Sequence, residues 1–247
     1  MQRYFFEIAY NGKSFSGWQR QPNAISVQEV IEEALSKLTS GEKISIVGCG
    51  RTDAGVHAHQ YFFHVDFPAS FNTDNIVFKL NRMLQDAVVV YNVKAVEETL
   101  HARFSATTRT YRYYIHQNKD PFKSELSWYH APFLDMNKMN QAAQHVIGVK
   151  DFTSFSKVHT DVKTNICEVF DAKWHQCEEG AIYFEITANR FLRNMVRAVV
   201  GTLVDVGTSK IQIEDVHHII EKKDRGAASL SVPACGLFLW EIKYDFS

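Results

Sequence analysis

Apolar residues change their period several times along the chain, and each change predicts an element. Tyr4 to Ala9 reads as an opening strand, and the polar loop NGKSFSGWQRQPNA separates it from the first segment of helical spacing. There Val27, Val30, Ile31, Ala34, Leu35 and Leu38 form one apolar face, which predicts a helix packed on a sheet. Ser26 and Glu29 give the S-x-x-E pattern of a capping box at its start. A short strand near Ile44 to Val47, the loop GCGRTDAGVHA and an aromatic-rich strand from Gln60 to Phe67 come next. A helix from about Thr73 to Leu84 and a strand from Val88 to about Val96 complete the order β-α-β-β-α-β.

The pattern then repeats. After HARFSAT, the strand TYRYYIH leads to a helix from about Asn137 to Ile147 and to a strand pair flanking Glu179 and Gly180. Helices near Phe191 to Val204 and Ile213 to Lys222 precede a last strand from Leu237 to Tyr244. The second half therefore also approximates β-α-β-β-α-β. The expected fold class is α+β: two ferredoxin-like units, residues 1–104 and 105–247, with mainly antiparallel sheets joined around a central cleft.

Composition narrows the class. With 247 residues, 45% hydrophobic and 13% aromatic, the chain can bury a substantial core. No apolar run approaches the roughly 20 residues of a membrane helix, and the opening MQRYFFEIAY lacks the apolar stretch of a signal peptide, so the expectation is a soluble cytoplasmic protein without a membrane partner. Cys49, Cys167, Cys177 and Cys235 are far apart, without C-x-x-C spacing, which points to reduced structural thiols rather than disulfides or a thiolate zinc site. Lys plus Arg number 27 against 28 Asp plus Glu, a net charge of −1, so a nucleic-acid site must come from local segregation. Such segregation exists: His101 to His116 holds Arg103, Arg109 and Arg112 without an acid, and Ile186 to Val204 holds Arg190, Arg193 and Arg197 without one. Glu29, Glu32 and Glu33, then Glu97 and Glu98, then Glu178 and Glu179 form acidic spots read mostly as solvated faces.

The loop GCGRTDAGVHA has glycines at 48, 50 and 55 around Arg51 and Asp53, so it can turn tightly and present a carboxylate beside a guanidinium. An arginine near an aspartate favours the ionised form that a nucleophile needs. The same residues also suit an Asx turn capping backbone amides, and alone they leave both readings open. His57, His59 and His64 nearby supply the raw material of a metal-dependent hydrolase, but a separation of five puts His59 and His64 on opposite strand faces. In TYRYYIH, alternation puts Tyr111, Tyr113 and Ile115 on one face and Arg112, Tyr114 and His116 on the other. A tyrosine beside a cleft can stack on a base, and one in a strand can equally be core. On a continuous helix, Arg190, Arg193 and Arg197 would fall within about 60° of each other, opposite Leu192, Val196, Val199 and Leu203. Such a face lines an anion site or faces water.

Four segments, FSGWQRQPNAISVQEVIEEAL, GCGRTDAGVHAHQ, ARFSATTRTYRYYI and NRFLRNMVRAVVGTL, together resemble the TruA family of tRNA pseudouridine synthases, and KDRGAASLSVPACGLFL resembles the family's last motif. The resemblance implies that Asp53 is the catalytic nucleophile and that Tyr111 contacts the target uracil. It further implies that Arg197 pairs with Asp53, that Arg51 helps extrude the nucleotide and that Leu237 lies near the pocket. The sequence departs from the family at Asn194, where many relatives have His, and at Ser229 and Ser231, which replace a common Gly and Thr.

The implied activity is the isomerisation of uridine to pseudouridine in tRNA, at positions 38, 39 and 40 of the anticodon stem-loop, by a homodimer that uses no cofactor and no metal. Two other readings compete. One is an RNA-binding module without catalysis, since ferredoxin-like sheets with surface aromatics bind single strands. The other is a metal-dependent hydrolase using the His57 and His59 region. Asp53 separates the first from a synthase, because a carboxylate in an RNA cleft is unfavourable unless it does chemistry.

Overall fold

The computed structural model of the chain describes residues 1–39, 41–68, 72–84, 86–157, 163–177 and 180–245. They form an α+β fold with mixed, mostly antiparallel strand pairing. By contacts the chain divides into two compact units, Met1–Thr107 with Leu239–Ser247, and Thr108–Phe238.

The first unit runs β1 (Gln2–Tyr10), α1 (Val27–Leu38), β2 (Val47–Gly48), β3 (His57–Phe67), α2 (Thr73–Met83) and β4 (Val88–Val96). Its strands lie in the order β4-β1-β3, with β2 also on β3 and all of these pairs antiparallel. One face is apolar: Phe6, Ile8, Tyr61, Phe63 and Val65 are buried, as are Ile31 and Leu35 of α1 and Leu80 of α2. Ser26 caps α1 by accepting the amide of Glu29 at 3.2 Å. Glu32 corrects the solvated reading of its acidic cluster. It is buried, because it accepts the amide of Ile46 at 3.2 Å and the amide group of Gln28 at 2.9 Å, and Arg20 lies 3.4 Å from its carboxylate. The preference of a carboxylate for water is met there by three donors.

The final strand, β10 (Leu237–Tyr244), gives most of its length to this first unit rather than to the second. Tyr244 donates to the carbonyl of Ala102 at 2.6 Å, Ile242 N donates to Gln60 Oε1 at 3.0 Å, and the Tyr244 ring lies edge-on to Phe5 and Phe62. A division at residue 104 takes no account of this return, which rests on contacts distant in sequence.

The second unit contains β5 (Ala106–His116), β6 (Trp128–Tyr129), α3 (Met136–Ala143), β7 (Gly148–Asp151), β8 (Ile166–Gln176), β9 (Ile182–Ala188), α4 (Met195–Gly207) and α5 (Asp215–Lys222). The order is β5-β9-β8-β7, antiparallel throughout, and β6 adds to β5 in parallel. Tyr113, Ile115, Trp174, Phe184 and Ile186 form the buried sheet face, while α4 is buried nearly all round because its apolar residues do not keep to one stripe. The short β6 and β7 are absent from the periodicity, being set by partners rather than by alternation. Of the predicted turn at Glu179 and Gly180 between β8 and β9, Glu179 lies outside the described residues, as does the acidic spot of Glu178 and Glu179.

Among the described residues no helix is long and apolar enough to cross a membrane.

Candidate active site

Asp53 lies in the loop between β2 and β3, and that loop is held mainly through its backbone. Thr52 O accepts the amide of Trp18 at 3.3 Å, and Gly55 N donates to Phe15 O at 3.2 Å. Val56 N closes a turn on Asp53 O at 3.2 Å, and the Tyr61 hydroxyl donates to Gly50 O at 2.5 Å. Burial pushes the Tyr61 phenol well above its usual pKa, so it remains a donor at any physiological pH. Trp18 stacks on the Tyr61 ring at 4.0 Å, which locks the FSGW segment over the base of the loop.

Two glycines make this close approach possible. Gly17 has φ of +94°, and a Cβ there would fall 2.4 Å from Thr52 O. A Cβ on Gly12 would fall 2.0 Å from Val56 O. Thr52 is therefore a buried anchor, hydrogen-bonded through Oγ1 to Tyr10 at 2.8 Å, while Asp53 is half-buried and Arg51 exposed. Loop rigidity of this kind presents a carboxylate without an entropic cost at each turnover.

The neighbouring histidines have structural partners. His57 is buried and accepts the amide of Gly12 on Nδ1 at 3.1 Å. His59 is exposed and stacks on Trp240 at 4.0 Å. His64 is buried and accepts the amide of Ala102 at 3.1 Å. Among the described residues no group of three or more His, Cys, Asp or Glu side chains is arranged to hold a metal ion.

In the second unit Tyr111 sits within β5 opposite Ile186, half-buried, its ring edge-on to Phe191 at 5.0 Å. The other tyrosines of this strand are committed elsewhere. Tyr113 is fully buried and donates to Pro233 O at 2.8 Å, and Tyr114 lies edge-on to Phe238 at 5.3 Å. Leu237 is buried directly after Gly236, where a Cβ would fall 2.7 Å from Tyr114 O.

The expected face of three arginines is corrected. Helix α4 starts only at Met195, because Asn194 adopts a left-handed φ of 68° and breaks the helix before it. Arg190 instead donates to Thr164 O at 3.2 Å, and the carbonyl of Arg193 accepts Lys157 N at 3.1 Å. Of the three, Arg197 alone stands on α4, its Nε donating to Val232 O at 2.7 Å.

The family model described as tRNA pseudouridine synthase matches residues 8–105 and 142–245, most of the chain and both units. The chain belongs to this family.

Individual tRNA pseudouridine synthases agree over nearly the full length. The tRNA pseudouridine synthase A of Parabacteroides distasonis is 50% identical over 99% of this chain and 96% of its own, and that of Porphyromonas gingivalis is 47% identical over 99% and 98%. That of Bacillus subtilis is 38% identical over 96% and 97%. As a tRNA pseudouridine synthase the chain is an isomerase, so the readings as a binding module and as a metal-dependent hydrolase fall away.

Two residues singled out in the sequence, Asn194 and Ser231, touch. Asn194 Nδ2 donates to Ser231 Oγ at 2.6 Å, and Arg225 Nη2 donates to the same oxygen at 3.0 Å. Sequence reading gave these residues, and Gly17, Trp18 and Tyr61, no part in the site. The signal for Gly17 and Trp18 is their place in the FSGWQRQ segment, and its meaning depends on a contact between distant segments.

Proposed function

We propose that this synthase converts uridine to pseudouridine at positions 38, 39 and 40 of the tRNA anticodon stem-loop, with Asp53 as nucleophile and without a cofactor. The observation that carries the reading is the Asp53 loop: a half-buried carboxylate on a backbone clamped by the FSGW segment and the Tyr61 hydroxyl. In the reaction the glycosidic bond from N1 of uracil to the sugar breaks, the uracil turns, and its C5 joins the sugar carbon. C5 gives up a proton and N1 gains one, so no oxidant or external reactant is consumed. Asp53 supplies the nucleophilic assistance.

The nucleotide must leave its stack to reach Asp53, at a cost of a few kcal/mol. Arg51, exposed beside the nucleophile, is suited to fill the vacated space, and Tyr111 to hold the uracil by ring contact. Arg197 is assigned to pair with Asp53, and Leu237 to the apolar wall of the pocket. This reading draws residues from both units, Arg51 and Asp53 from the first and Tyr111, Arg197 and Leu237 from the second. It also takes the active species as a cytoplasmic homodimer that shares one tRNA.

Primer extension on unmodified tRNA after carbodiimide treatment tests the chemistry. Incubated in chelator, wild-type protein is expected to give new stops in the anticodon stem-loop, and Asp53→Asn none. Stops with both proteins would remove Asp53 from the mechanism. Sedimentation tests the assembly: a fully active strict monomer would refute the dimer.

A further inference from the structure

The segment 224–233 runs as a strap along α4 and is fastened at several points, the last of them Arg197. At its start, Asp224 N donates to Ser154 Oγ at 2.9 Å and the Asp224 carboxylate accepts Gly226 N at 2.9 Å. In the middle the strap lies directly on the helix. A Cβ on Gly201 would fall 2.1 Å from Leu230 O, and Ser229 N donates to Thr202 Oγ1 at 3.3 Å. At its end the contact runs both ways, with Arg197 Nε donating to Val232 O at 2.7 Å and Val232 N donating to Arg197 O at 3.2 Å.

One side chain spans this strap. Arg225 Nη1 donates to Ala228 O at 3.2 Å and to Ser229 O at 3.1 Å, and its Nη2 donates to Ser231 Oγ at 3.0 Å. Ser231 also accepts from Asn194, the residue whose left-handed backbone starts α4. The carbonyl that receives Arg197 Nε belongs to the next residue, Val232. A planar guanidinium spreads its donors over separate nitrogens in a rigid fork and so reaches acceptors set apart along the strap, whereas the three donors of an ammonium radiate from a single nitrogen.

We propose that Arg225 is a positioning residue for the isomerisation, holding the 228–232 strap so that Val232 O fixes the Arg197 guanidinium in the plane that its pairing with Asp53 requires. The inference rests on the assignment of Arg197 made above. Arg225 acts through the strap and touches no reacting atom. Misplacement of a catalytic group by about 1 Å can cost on the order of 100-fold in rate. The loss of Arg225 is transmitted through an intermediate segment, so its expected effect is smaller, about 10- to 30-fold.

The test is single-turnover pseudouridylation with separate measurement of tRNA affinity, in a cycle of Arg225→Ala and Arg197→Lys. Arg225→Ala is expected to lower the rate constant about 10- to 30-fold while tRNA affinity changes by less than about twofold. Arg225→Lys should recover little of the loss. In the Arg197→Lys background, Arg225→Ala should add less than about a further twofold, because both changes act on one group. Multiplicative losses, or weakened tRNA binding with an unchanged rate constant, would overturn the inference. If Arg197→Lys and Arg197→Ala both keep full activity, the assignment of Arg197 fails and takes this inference with it. If they lose activity while Arg225→Ala keeps the wild-type rate, the positioning role alone fails. Should Arg225→Ala not fold, Ser231→Ala removes one of the same three acceptors, and its smaller loss, about threefold, must vanish in the Arg197→Lys background.

Discussion

The loop that carries Asp53 and the helix start that carries Arg197 are fixed by different kinds of bond. The loop is held by backbone groups and by the absence of side chains at Gly12 and Gly17. The helix start is held mainly by side chains: Asn194 on Ser231, Arg225 on three acceptors, and Arg197 on Val232. A backbone clamp admits few substitutions, since any Cβ at Gly17 meets a carbonyl. A side-chain clamp can be rebuilt with other polar groups, so the second region should tolerate substitution better than the first.

The comparison breaks first at the nucleophile. Asp53→Asn keeps the loop's backbone bonds, so its melting temperature should stay within a few degrees of wild type while pseudouridylation falls by at least about 10⁴-fold. A residual rate within tenfold of wild type, measured on unmodified tRNA, would mean that the clamped loop serves RNA binding rather than chemistry.

Next in size is the clamp itself. Gly17→Ala puts a Cβ against Thr52 O at a φ that alanine rarely adopts, so we expect a loss of about 2 to 4 kcal/mol in denaturant unfolding and a large loss of activity. A change below about 0.5 kcal/mol would show that the loop yields, and the contrast between the regions would disappear.

A third effect is pH dependence in the first unit. Burial, aided by the charges of Arg3 and His101, holds His64 down at a pKa of about 4. Folding selects the neutral ring, so its contribution is complete above the unfolded value near 6.5. It declines as pH falls below 6.5 and levels off below about 4, amounting to about 2 kcal/mol after allowance for solvent screening. Unfolding curves between pH 7 and pH 4 should show this slope, and His64→Gln should flatten it.

The smallest effect sharpens the contrast from the other side. Ser231→Ala removes an acceptor shared by Asn194 and Arg225, with an expected cost of about 1 kcal/mol. Ser231→Thr, which keeps a hydroxyl acceptor, should cost less than Ser231→Ala. A loss equal to that of Gly17→Ala would show the side-chain clamp to be as intolerant as the backbone one.

What could be read in advance follows the range of the forces involved. Helix α1 and its Ser26 cap were legible because the apolar period and the cap act over a few neighbouring residues. The extra strands β6 and β7 were not, because two to four residues become a strand only when a partner edge accepts them. Arg190 and Arg193 were expected on α4 because helical spacing continues through Asn194. The left-handed turn there answers to Ser231, 37 residues away, and so no local pattern announces it. Glu32 was expected in water for the same reason: its burial depends on Ile46 N, across the loop that follows α1.

The sequence by itself determined the alternation of elements, the family and the chemical type of the candidate residues, because these depend on side-chain identity and short-range spacing. Only the tertiary structure decided which tyrosine of β5 is committed to the core, which arginine stands on α4, and how Gly17 and Tyr61 secure the Asp53 loop. Those outcomes rest on contacts between segments far apart in the chain, and their energies depend on geometry that residue order alone does not contain.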